Sequence, residues 1–151
     1  MTRAALLLVA LLVAGCGGEP EPLEAQVRAL VADAEAAAEA RDVEALMDLV
    51  ADDYRGPRGE PRSAVAPLAR FALGRHQTVH LLTRTSEVEV RDSTQARATV
   101  FVAMGGRPIR AGELESLRGS LWRFDVLVRR DGDDVRVTQA QWRRARPDDF
   151  L

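Results

Sequence analysis

Residues 4–14 are all alanine, leucine or valine, and no later stretch is apolar over such a length without interruption. From residue 23 the apolar positions recur at helical spacing. Leu23, Val27, Leu30, Val31, Ala34 and Ala38 share one side of a helix, with Glu24, Arg28, Glu35 and Glu39 opposite. Asp42 then reads as the N-cap of a second, short helix with Val43, Leu46, Leu49 and Val50 inward, stopping before Asp52-Asp53-Tyr54. Residues 56–62 (GPRGEPR) have loop composition. Ser63 can cap a third helix with Val65, Leu68, Ala69, Ala72 and Leu73 inward. Pro67 suits its first turn and Gly74 its C′ position.

From residue 79 the period becomes two. Residues 79–91 read as a strand, with His80 on the face of Leu82, Val88 and Val90. A turn at Asp92-Ser93 leads to a strand over 95–104. Ala96, Ala98, Val100, Val102 and Met104 occupy one face of it, and Arg97, Thr99, Phe101 and Ala103 the other. Gly105-Gly106 ends this strand, and 112–117 reads as a short helical turn. Residues 120–130 alternate again, with Trp122, Phe124, Val126 and Val128 against Arg123, Asp125, Leu127 and Arg129. A hairpin turn at 131–134 precedes a last strand over 135–143. The order predicts an α+β domain: three N-terminal helices on one face of a four-stranded antiparallel sheet.

The first apolar run is too short to span a bilayer as a helix, which needs roughly 20 residues. It has the dimensions of a signal h-region, preceded by Arg3. Its end, Leu12-Val13-Ala14-Gly15-Cys16, resembles the lipobox of bacterial lipoproteins. That resemblance implies cleavage before Cys16, a diacylglyceryl thioether on its sulfur and an acylated new amino terminus. Several acyl chains hold a protein stably on a membrane where one would not. The implied partition is a signal peptide over 1–15, a lipidated cysteine and tether over 16–22 (CGGEPEP), a domain over 23–145 and a tail over 146–151. The implied location is the cell envelope. Gly17 after the cysteine points to an outer membrane facing the periplasm in a cell with two membranes.

Charge and composition narrow the rest. Twenty-one basic against 23 acidic residues give −2, so no nucleic-acid footprint is expected. A single cysteine permits no internal disulfide. Every basic side chain is arginine, asparagine is absent and Ile109 is the sole isoleucine, which together point to codon bias rather than to an anion-binding surface.

AEARDVEALMDLVADDY and the closing RRDGDDVRVTQAQW resemble the nuclear transport factor 2-like superfamily, in its SnoaL-like and ketosteroid-isomerase-like branches. The resemblance spans 23–145 and implies a strongly curved sheet wrapping a long helix into a cone with a pocket at its open end. Isomerase chemistry in that family uses a carboxylate base after the second helix, a tyrosine from the first and a protonated aspartate on a late strand. Here those positions fall at Pro57-Arg58-Gly59, near Ala34 and near Asp125, so at least two of the three parts are missing.

His76 and His80 could act as acid–base groups oriented by Asp125, but as a metal pair they lack a third ligand, and neither a metal nor a cofactor is expected. Asp52-Asp53 reads as a solvated or arginine-paired helix end rather than a carboxylate site. Tyr54, His80, Phe101, Trp122 and Trp142 are the candidate pocket residues. The leading expectation is a membrane-anchored, non-catalytic domain binding a small apolar molecule or an envelope protein. The alternatives are an isomerase or hydrolase using a histidine with Asp125, and a structural homodimer through the outer sheet face.

Overall fold

The structure, a computed structural model, describes residues 21–150. Cys16 and the signal and lipidation readings therefore lie outside the described residues. Helix α1 spans Leu23–Glu39 and α2 spans Val43–Asp48. Strand β1 is Val50–Arg55. A 3-10 turn at Arg62–Ala64 runs into α3, Val65–Gly74. Strands β2 (His80–Val90), β3 (Gln95–Gly105), β4 (Leu121–Asp131) and β5 (Asp134–Arg144) follow. A 3-10 segment at Ala111–Ser120 links β3 to β4, and another at Pro147–Phe150 closes the described chain.

The sheet has five strands and is mixed, not four and antiparallel. Its order is β1-β5-β4-β3-β2, with β1 parallel to β5 and the other pairs antiparallel. The helix expected through Val50 stops at Asp48. Val50, Ala51 and Tyr54 are buried as a strand instead. The cause is not local: the Val137 amide donates to the Leu49 carbonyl at 2.8 Å, and Val50 pairs with Val137, 87 positions later in sequence. Six residues with two adjacent carboxylates carry no alternation to announce such a strand.

The α1–α2 corner forms as its residues dictate. The Asp42 amide donates to Ala37 and the Arg41 amide to Ala38, the paired bonds of a Schellman cap. Arg41 takes the left-handed φ of 57° there, a position glycine usually fills. Asp42 Oδ1 accepts from the Ala45 amide at 2.9 Å, capping α2. Two expectations for α3 fail. Ser63 lies inside the 3-10 turn and caps nothing, and Gly74 is the last helical residue rather than a left-handed cap. Leu68, expected inward, is 47% exposed, and Phe71 beside it is 68% exposed.

Alternation places side chains on both sheet faces. On the inner face Leu23, Val27 and Leu30 of α1 pack on Ala96, Ala98, Val100 and Val128. The small β3 alanines let the helix come close. On the outer face Phe101, Ala103, Leu114, Leu121, Ala145 and Phe150 form a second cluster. Residues 146–151 were expected as a tail, yet Phe150 is buried against Phe101, with ring centroids 5.7 Å apart. Ala38, Leu73 and Val79 join α1, α3 and the approach to β2 in a third cluster.

Phe150 is thus a structural residue. Its replacement by alanine is expected to cost about 2–4 kcal/mol in urea unfolding. Val90→Ala, at a half-exposed site, should cost less than about 1 kcal/mol. Equal effects would show that the C-terminal turn is not docked in solution.

Candidate functional site

Cross-strand register identifies what faces the helix. Thr83 pairs with Val102, Val102 with Trp122, and Trp122 with Arg144. The next row runs Thr85, Val100, Phe124 and Trp142. Val102 and Phe124 pack against the cluster that α1 buries, so both rows belong to the inner face. Helix α1 lies chiefly over β2 and β3. The β4–β5 half of these rows is therefore less covered: Trp122 and Phe124 are half-buried and Trp142 is 37% exposed.

This half forms an aromatic floor. The Phe124 and Trp142 rings stand 6.4 Å apart and tilted by 34°. The Arg144 guanidinium carbon sits 4.0 Å from the Trp122 ring centroid, within cation–π distance. At the β2 edge of the same rows, Glu35 of α1 accepts a short hydrogen bond from the Thr83 hydroxyl. One turn on, Glu39 accepts from the Leu81 amide at 2.8 Å. These two glutamates belong to the helix face read from the sequence as opposite the apolar one. They satisfy edge-strand groups instead.

The sequence-derived candidates divide. Trp122 and Trp142 share the inner face in neighbouring rows, with Phe124 between them in register, a residue the sequence reading did not include among the pocket candidates. Phe101 lies on the outer face beneath Phe150. Tyr54 is buried in β1, and burial first, then the charge of Glu60, raise its pKa. His80 does not share a face with Val88 and Val90. An extra residue, Ser86, interrupts the β2–β3 register between Thr85 and Glu87 and inverts the alternation. Leu82 therefore joins the outer cluster while Val88 joins the inner one. His80, two residues before Leu82, falls on the outer register.

Asp125 also faces outward. Arg123 Nη2 donates to its Oδ1 at 2.8 Å and Arg123 Nε to its Oδ2 at 3.0 Å, while the buried Thr99 hydroxyl donates at 2.8 Å. Burial pushes the Asp125 carboxyl up, but the bonds from Arg123 and Thr99 together outweigh it and hold the pKa below the ordinary value. Asp53 likewise lies low, chiefly through its hydrogen bonds with Arg129 at 2.8 and 2.9 Å. Asp52 stands 3.8 Å from Arg62. Among the described residues no hydrogen bond or ion pair joins His76 or His80 to a carboxylate, and no three His, Cys, Asp or Glu groups gather as a metal would require.

Two clefts stand out among the described residues, and neither lies over the aromatic floor. One, about 180 Å³, surrounds the Asp53–Arg129 pair. The other, about 270 Å³, lies under the loop from Gly105 to Leu117. The floor is partly open to solvent, Trp142 more than Trp122 or Phe124.

No family model and no curated protein matches the sequence. Solved structures do match the fold. A nuclear transport factor 2-like protein of unknown function from Shewanella oneidensis aligns with a TM-score of 0.60 at 13% identity, over 80% of this chain and 98% of that one. One from Pseudomonas putida, also of unknown function, gives 0.59 at 22% identity, over 80% and 84%. A proposed dehydratase of the same fold family from Streptomyces avermitilis gives 0.61 at 16% identity, over 80% and 94%. The fold is therefore nuclear transport factor 2-like. Identities this low speak to fold and not to activity.

Asp125 generates a pH dependence. Its folded pKa is depressed, so its contribution to stability is complete above the unfolded carboxylate value of about 3.9 and is lost as pH falls through the folded value. Wild-type stability in urea should fall on acidification below about pH 4. Asp125→Asn should flatten that decline, and an unchanged slope would show that other carboxylates dominate it.

Proposed function

We propose that this chain is an envelope lipoprotein, anchored through Cys16, whose domain binds a small apolar molecule without transforming it. The observation that carries the binding half is the aromatic floor. Three large rings, Trp122, Phe124 and Trp142, face the helix side of the sheet yet stay partly open. Neighbouring aromatic rings left open to water form the kind of apolar patch that marks interaction sites. The anchoring half rests on LVAGC closing the apolar run 4–14.

The non-catalytic reading is supported by the placement of the titratable groups. Asp125 is held by Arg123 on the outer face, and His80 sits on that face too, so neither reaches the floor. Glu35 is the carboxylate at the floor's edge, and it is engaged by Thr83. An isomerase or hydrolase built on a histidine with Asp125 has no geometry to support it here. A dimer through the outer face meets a surface of charged rows, with its apolar patch already covered by Phe150. The dehydratase label of one structural neighbour stays with that protein.

The chain has two tryptophans, Trp122 and Trp142, so tryptophan signals report on the floor alone. Full-length protein labelled with 5-fluorotryptophan, in phosphatidylcholine nanodiscs, should show both fluorine resonances shifting on titration with uncharged 2-naphthylmethanol. Trp142→Ala should weaken that binding by about tenfold, equivalent to roughly 1.4 kcal/mol. Silence of both resonances toward a range of apolar compounds would sink the binding reading. For the anchor, Cys16→Ser should remain an unprocessed, unlipidated precursor. Processing and membrane distribution like wild type would refute lipidation at Cys16.

A further inference from the structure

Arg144 poses a question that apolar binding leaves open. Its guanidinium lies 4.0 Å from the Trp122 ring centroid, at the end of the inner-face row that begins with Thr83. Other arginines of the sheet are engaged. Arg123 is bonded to Asp125, Arg129 to Asp53, and Arg130 to Gln26 and the Glu21 carbonyl. Among the described residues the Arg144 guanidinium has no hydrogen bond and no ion pair. At this distance the contact with the ring leaves its N–H donors without a protein acceptor. Its five N–H donors lie in the guanidinium plane, and the fork they form matches a carboxylate. A cation seated on an aromatic ring is also held in place, so less freedom is lost when an anion binds it.

We infer that the ligand of this floor is an amphipathic carboxylic acid, its apolar body on Phe124 and Trp142 and its carboxylate on the free edge of Arg144. This rests on the binding reading above and adds the charge of the ligand. The geometry fits the division of labour expected of such sites, in which apolar walls supply affinity and one placed polar group supplies orientation. It also disfavours a cationic ligand. The Trp122 face that would receive a cation is already taken by Arg144, and a second positive charge there would be repelled.

The test compares 2-naphthoate with its uncharged counterpart 2-naphthylmethanol, by fluorine NMR of the 5-fluorotryptophan-labelled full chain in phosphatidylcholine nanodiscs. Wild type should bind the carboxylate at least about tenfold more tightly, the order expected of a charge-assisted pair. Arg144→Gln should bring that preference below about twofold, and a urea-unfolding midpoint like that of wild type shows that the variant is folded. Arg143→Gln, which removes the same charge from the neighbouring residue on the opposite sheet face, should keep the preference. Equal binding of the two probes by wild type, or a preference that survives Arg144→Gln, would overturn the carboxylate inference and leave apolar binding standing. A preference lost equally in Arg143→Gln would reduce it to general charge attraction and overturn it as well. Failure of both probes to move either resonance would overturn the carboxylate inference, and the same silence toward a range of apolar compounds would remove the binding reading itself. If an acidic peptide binds where 2-naphthoate does not, the occupant is a protein segment and the small-molecule inference falls.

Discussion

The seating of α1 on β3 decides most of this structure. Val27 is fully buried, and beneath it Ala96 and Ala98 present almost no side chain, so helix and sheet approach closely. Apolar area removed from water along this contact is worth about 25 cal/mol per Å², and no disulfide is available to share the task. Because the small residues are on β3, the helix settles toward that strand and β2. The aromatic residues of β4 and β5 are left beside it rather than beneath it. The open floor follows from where the alanines are.

The same seating explains why two glutamates of α1 behave unlike surface charges. With the helix drawn toward β2, Glu35 and Glu39 reach the edge strand and accept from Thr83 and the Leu81 amide. An edge strand with unsatisfied donors invites pairing with other chains. Here part of that edge is answered from within. The outer face manages its charges differently, through Arg–Asp pairs across and along strands, of which Arg123–Asp125 and Arg129–Asp53 are the best formed.

Local periodicity carried the sequence reading a long way. The four long strands, α1, and the Asp42 cap follow from alternation, helical spacing and capping chemistry that each segment holds in itself. What escaped was non-local. Strand β1 exists because Val50 meets Val137, and nothing within VADDYR announces that partner. Ser86 changes which face His80 occupies through one extra residue, invisible to a count of twos. Phe150 was read as part of a C-terminal tail because its partner Phe101 lies 49 positions upstream. At the floor, Trp122 and Trp142 were legible as large aromatics. Arg144 was not, because in a chain whose every cation is arginine no single one stands out until its ring partner is seen.

The direction of α1 has a consequence for access. Its first turn lies at the level of the β2–β3 and β4–β5 turns, where Arg130 bonds Gln26, the Glu21 carbonyl and the Ser93 carbonyl. Its last turns lie at the level of Thr83, Trp122 and Arg144. From Val128 to Trp122 the sheet spans about 20 Å at roughly 3.4 Å per residue. A chain tethered ahead of residue 21 is thus held by one pole and open at the other. On the proposed anchoring the floor would lie at the end of the domain far from the anchored residue. Its ligand would then be collected from solution, as a dissolved acid, and not drawn out of the lipid to which the protein itself is fixed.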